Sequence, residues 1–142
     1  MNVKDIMSSK PITVSPEENA AVAARLLSRH NIGALPVCNR NGMLKGMLTD
    51  RDIVLRCIAA DEDPRNVKVA EIMTRRVISV NADDSVEAAS DLMAKEQIRR
   101  LPVQEEGRVV GMLSLGDLAC RPDSSSAAGS ALSTISSNTK QF

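Results

Sequence analysis

The chain repeats itself. Asp5-Ile6-Met7 returns as Glu71-Ile72-Met73, an offset of 66 (71 − 5). Ile12-Thr13-Val14 returns as Ile78-Ser79-Val80, and Leu35-Pro36-Val37 as Leu101-Pro102-Val103, both at that same offset. Gly46-Met47-Leu48 returns as Gly111-Met112-Leu113 at an offset of 65 (111 − 46), so one residue is lost in the loop just ahead. Four landmarks in register define a pseudo-symmetric pair rather than a long solenoid. This constrains the fold more than any other feature. At about 60 residues neither half buries a comfortable core alone, so the two are expected to pack on each other, sheet to sheet.

Within a half, local signals alternate. Asp5 to Met7 reads as a helical turn and Ile12 to Val14 as a short β-prone run. Ser15-Pro16-Glu17-Glu18 opens a helix that runs from about Glu18 to His30, with Val22, Leu26, Ala23 and Leu27 on one face. Ala34–Cys38 and Met43–Thr49 read as strands joined at Asn41-Gly42, a strong hairpin signal. A second helix is expected from Asp50 to about Ala60, turning Ile53, Val54, Cys57 and Ile58 inward. The second half replays this: a strand over Val77–Val80, a helix from about Ser85 to Gln97 burying Val86, Ala89 and Met93, a hairpin of Arg100–Gln104 with Arg108–Leu113, and a short helix from Leu115 to Cys120. The fold class is α+β, as two βαββα repeats. The expected boundaries are 1–60 for the first repeat, 61–70 for a polar linker and 71–120 for the second repeat. A Ser/Ala-rich tail over 121–142 is expected to be disordered.

The strand-to-helix corners carry the chemistry. Gly46-Met47-Leu48-Thr49-Asp50-Arg51-Asp52 matches Gly111-Met112-Leu113-Ser114-Leu115-Gly116-Asp117. A hydroxyl residue followed three positions later by an acid is a capping box. The same carboxylate can accept two hydrogen bonds from adjacent hydroxyls of a ribose, and the helix N-terminus then favours a phosphate. The two roles are compatible.

Composition removes several alternatives. Lys plus Arg equals Asp plus Glu, 18 each, which argues against nonspecific nucleic-acid binding. There is no Trp or Tyr and a single Phe, so stacking platforms for single strands are missing. Cys38, Cys57 and Cys120 form no C-x-x-C pair and suit a reducing cytoplasm. The first residues are polar and no apolar run approaches a membrane span, so neither a signal peptide nor a membrane anchor is expected.

These motifs resemble those of tandem CBS-domain proteins, the paired module often called a Bateman module. The marks are the Asp/Glu-Ile-Met leads, the two Leu-Pro-Val strands and the two glycine-led motifs, over about residues 1–120. The resemblance implies two related clefts for an adenosine-containing ligand: AMP, ADP, ATP or S-adenosylmethionine, with or without Mg. It implies a cytoplasmic homodimer acting on a protein target that the sequence does not identify. It gives one cleft Thr49 and Asp52, with Ile78, Ile98 and Arg99 from the other repeat. It gives the second cleft Ser114 and Asp117, with Ile12, Ile32 and Gly33, joined by Arg100. Arg51 stands where the second copy has Gly116, so Arg51 and Arg99 would make the Asp52 cleft prefer the more highly phosphorylated nucleotide.

Catalysis is not expected. Asp50 and Asp52 have no partner base nearby in sequence, and His30 stands alone at a helix end. No P-loop, G-x-S-x-G or Cys/His metal spacing occurs. The chain reads as a non-catalytic adenine-nucleotide sensor; the alternative is an interaction or dimerisation module with vestigial clefts.

Overall fold

The computed structural model describes residues 1–120 and 125–138, with side chains over 1–120 and 128–135. A 3-10 turn at Val3–Asp5 leads to β1 (Ser8–Ser9), α1 (Ala20–His30), β2 (Ala34–Cys38), β3 (Leu44–Thr49) and α2 (Asp50–Ile53). A π-helical turn over Val54–Ile58 follows, then α3 (Val69–Ile72), β4 (Val80–Asn81), α4 (Val86–Glu96), β5 (Arg100–Glu105), β6 (Arg108–Ser114), α5 (Leu115–Ala119) and α6 (Ser125–Asn138).

The chain divides into two compact units that do not follow the linear repeat boundaries. One holds 12–77 with 107–109; the other holds 1–11, 78–106 and 110–142. The lead of each repeat is therefore folded into the unit carrying the other repeat's glycine-led strand. In the first-named unit Met47 and Thr74 exchange backbone hydrogen bonds at 2.8 and 2.9 Å. In the other unit β1 pairs antiparallel with β6, Ser8 opposite Met112 and Ser9 opposite Gly111. Each unit thus joins the body of one repeat to the lead of the other. Within 61–70, expected to be a polar linker, Val67 and Val69 belong to the first-named unit's buried core.

Glycine stands at each crossing. A β-carbon on Gly46 would lie 2.7 Å from the Met73 sulfur and 2.8 Å from the Thr74 carbonyl oxygen. One on Gly111 would lie 2.5 Å from the Met7 sulfur and 2.8 Å from the Ser8 carbonyl oxygen. The strand and the crossing segment approach so closely that only glycine fits.

Each unit repeats the same small parallel pairing, Val14 with Val37 and Val80 with Val103, at the sequence offset of the repeat. β2 and β3 pair antiparallel, with Leu35 opposite Leu48, and β2 is buried along its whole length. The other unit carries the sheet β1-β6-β5-β4. The α1 stripe is Ala20, Ala23 and Leu27; the α4 stripe is Val86, Ala89 and Met93, with Ser90.

Two expectations are corrected. Of the four residues expected to face inward after the first corner, Ile53 and Cys57 are buried, while Val54 and Ile58 are more than half exposed. The chain there winds as a π-turn, with the Ala59 N–H bonded to the Val54 carbonyl, and its buried stripe is one residue wide. The expected disorder of the tail does not hold over Ser125–Asn138, which is helical. Ala128, Ala131 and Ile135, spaced as one helix face, are buried in the core shared with α4 and α5. Small residues hid this stripe, because alanine carries little apolar signal while favouring helix. Residues 121–124 and 139–142 of the expected tail lie outside the described residues.

Candidate functional site

The two corners are built alike. β3 ends at Thr49 in extended backbone, and the Thr49 Oγ1 accepts the Asp52 N–H at 3.0 Å while Asp52 Oδ2 accepts the Thr49 N–H at 3.1 Å. β6 ends the same way. Ser114 Oγ accepts the Asp117 N–H at 3.1 Å, and Asp117 Oδ2 accepts the Ser114 N–H at 2.8 Å. Both motifs are thus true capping boxes, with the acid in the first turn where the helix dipole favours negative charge. The boxes differ from ordinary surface caps in their setting. Asp52 is only 9% exposed, and Asp117 is half-buried.

A second hydrogen bond ties each corner to the loop before the Leu-Pro-Val strand of its own repeat. The Asp50 N–H donates to the Gly33 carbonyl at 3.0 Å; the Leu115 N–H donates to the Arg99 carbonyl at 3.0 Å. The expected site residues divide between the two units. Thr49, Arg51 and Asp52 share a unit with Ile12, Ile32 and Gly33. Ser114 and Asp117 share the other with Ile78, Ile98, Arg99 and Arg100. Ile12, Ile78 and Ile98 are half-buried against the cores of their units, and Ile32 is 37% exposed. Arg51, Arg99 and Arg100 are exposed.

Two residues at the first corner were missed by sequence reasoning. Thr74 Oγ1 lies 3.4 Å from Asp52 Oδ2 and 3.5 Å from Oδ1, a long bifurcated hydrogen bond. Arg56 places Nε 3.9 Å from Asp52 Oδ1, and its Nη1 donates to the Ile72 and Met73 carbonyls at 3.4 and 3.3 Å. Arg56 was legible as the i+4 partner of Asp52 on a helix. Thr74 was not, because its approach depends on the bridge with Met47.

Other chemistry is sparse. Burial pushes the Cys57 thiol up, assisted by the negative Glu62 and Asp63, and burial raises Cys38 as well. Among the described residues no group of three His, Cys, Asp or Glu side chains is placed to hold a metal ion. Among them, too, no helix is long and apolar enough to cross a membrane.

Comparison with known proteins places this geometry. The CBS domain family matches residues 3–58 and 69–121, one stretch in each repeat. The chain belongs to the CBS domain family. It is similar to the CBS domain-containing protein YhcV of Bacillus subtilis, 48% identical over 135 residues that cover 95% of each chain. Among solved structures, this CBS pair is similar to Hypoxic Response Protein I, described with two coordinated zinc ions. The TM-score is 0.79 at 36% identity, covering 85% of this chain and 98% of that one. It is also similar to the CBS domain pair of protein MJ0100 in complex with 5-methylthioadenosine and S-adenosyl-L-methionine. There the TM-score is 0.74 at 35% identity, covering 84% of this chain and 94% of that one.

Proposed function

We propose that this CBS pair is a non-catalytic regulatory module that binds an adenosine-containing ligand at its capping-box corners. The observation that carries the reading is the pair of matched carboxylates, Asp52 and Asp117, each fixed by a backbone N–H on one oxygen at the start of a helix. A carboxylate offers about four acceptor positions, and one N–H leaves capacity for the two hydroxyls of a ribose. The helix start adds potential favourable to phosphate. The MJ0100 CBS pair, similar over 84% of this chain, is described with two adenosine-containing compounds.

In this reading Asp52 and Thr49 hold one sugar, with Ile12, Ile32 and Gly33 beside the base. Asp117 and Ser114 hold the other, with Ile78 and Ile98. Arg51 serves phosphates at the first corner, Arg99 and Arg100 at the second. The Arg99 backbone carbonyl is bonded at the second corner, and Arg51 stands within the first. The ligand is AMP, ADP, ATP or S-adenosylmethionine, and the readout runs through a cytoplasmic homodimer or a protein target.

Thermal melts of the full chain with AMP, ATP and S-adenosylmethionine test the proposal. A ligand of the folded state at a hundredfold excess over its dissociation constant adds about 2.7 kcal/mol of stability. A midpoint unmoved by all three overturns the sensor reading and leaves an interaction module.

A further inference from the structure

Asp52 is engaged by Thr74 in a way that a simple cap does not require. Thr74 lies on the segment that leaves the unit: residues 74–77 are its last stretch before the chain passes at Ile78 into the other unit. The segment is held at its start by the two Met47–Thr74 backbone bonds and by the Thr74 hydroxyl on the Asp52 carboxylate. Arg56 braces the same place, reaching the Ile72 and Met73 carbonyls while its Nε stays near Asp52. These side-chain contacts are long, between 3.3 and 3.9 Å, and therefore weak and easily exchanged.

We infer that the Thr74–Asp52 contact is a latch that ligand binding opens. This rests on the reading of Asp52 as a ribose acceptor. Thr74 and a ribose diol compete for the same carboxylate oxygens, so each weakens the hold of the other; the coupling is reciprocal. When a diol takes Asp52, the Thr74 hydroxyl loses its acceptor and the Met47–Thr74 bridge loses its side-chain support. Arg56, its ion-pair partner now engaged by the ligand, relaxes its brace on the Ile72 and Met73 carbonyls. Occupancy at Asp52 is thus converted into loosening of residues 72–77, a stretch that ends where the chain passes at Ile78 into the other unit. Thr74 is a positioning residue in this scheme: it acts on the ligand through Asp52.

The test is amide hydrogen exchange on the full chain, comparing wild type, Thr74→Val and Thr74→Ser, with and without saturating ATP or S-adenosylmethionine. In the wild type, whichever probe binds should speed exchange over residues 72–77 by about threefold or more, as expected for a local opening. Thr74→Val should show fast exchange there without any probe, no further increase on binding, and affinity about two- to fivefold tighter, the scale of one weak hydrogen bond. Thr74→Ser keeps the hydroxyl and should behave as wild type. Unchanged or slowed exchange in the liganded wild type overturns the latch, as does wild-type affinity in Thr74→Val; in both cases ligand binding itself survives. Failure of both probes to bind the wild type overturns the adenosine reading and, with it, the latch.

Discussion

Gly46 and Met73 meet with no room for a methyl group: a β-carbon on Gly46 would sit 2.7 Å from the Met73 sulfur, and the Thr74 carbonyl oxygen would be 2.8 Å away. The sulfur can swing aside, but the backbone oxygen is fixed by its bond to Met47. Gly46→Ala is therefore expected to destabilise the protein by about 1–3 kcal/mol through overpacking. Gly111→Ala should cost a similar amount, since Met7 and Ser8 stand in the matching places. Urea denaturation of both variants checks this. A loss at one glycine alone would mean that the two crossings are not equivalent.

Much of this fold is legible in the residues themselves. The Leu-Pro-Val strand β2 was placed at its observed bounds, because a short buried run between Gly33 and a hairpin signal has few other solutions. The capping boxes at Thr49 and Ser114 are legible as well, because capping is local chemistry that a four-residue window contains. The exchange of Asp5-Ile6-Met7 and Glu71-Ile72-Met73 between units was not legible. A repeat shows that two segments are alike, but says nothing of which copy each one packs upon. The same gap hid Thr74, whose place beside Asp52 depends on its bridge with Met47. The tail was misjudged because Ala128 and Ala131 bury well while adding little to hydropathy.

The α6 helix contributes to the core through Ala128, Ala131 and Ile135. Ile135 is 4% exposed, so Ile135→Ala is expected to lower stability by about 2–4 kcal/mol, as for other large-to-small core changes. The exposed neighbour Leu132, changed to Ala, should cost less than about 1 kcal/mol. Equal midpoints for the two variants in thermal denaturation would show that α6 does not bear on the core.

The thiols should separate by burial. Cys120 is exposed and should react with an aromatic disulfide reagent within minutes, while buried Cys38 and Cys57 react only as the chain opens. Burial raises the folded Cys57 thiol above its ordinary range, so its ionisation disfavours the folded state. The contribution is complete below the thiol range of the unfolded chain and is lost as pH rises through the unfolded value toward the folded one. Urea midpoints should therefore fall between pH 7 and about pH 9.5 more steeply in wild type than in Cys57→Ala. Parallel pH profiles would contradict this.

The central claim is that Asp52 and Asp117 hold the sugar of an adenosine ligand. It is tested most directly by titration calorimetry of AMP, ATP and S-adenosylmethionine against the wild type and the double variant Asp52→Asn, Asp117→Asn. Asparagine keeps an oxygen that can accept the capping N–H, so the corners should still fold, but it lacks the charge that favours a ribose diol. At least one of these compounds should bind the wild type and bind the double variant at least about tenfold more weakly, a difference of about 1.4 kcal/mol. Equal affinity for both proteins, or no heat of binding to the wild type from any of the three, would contradict it.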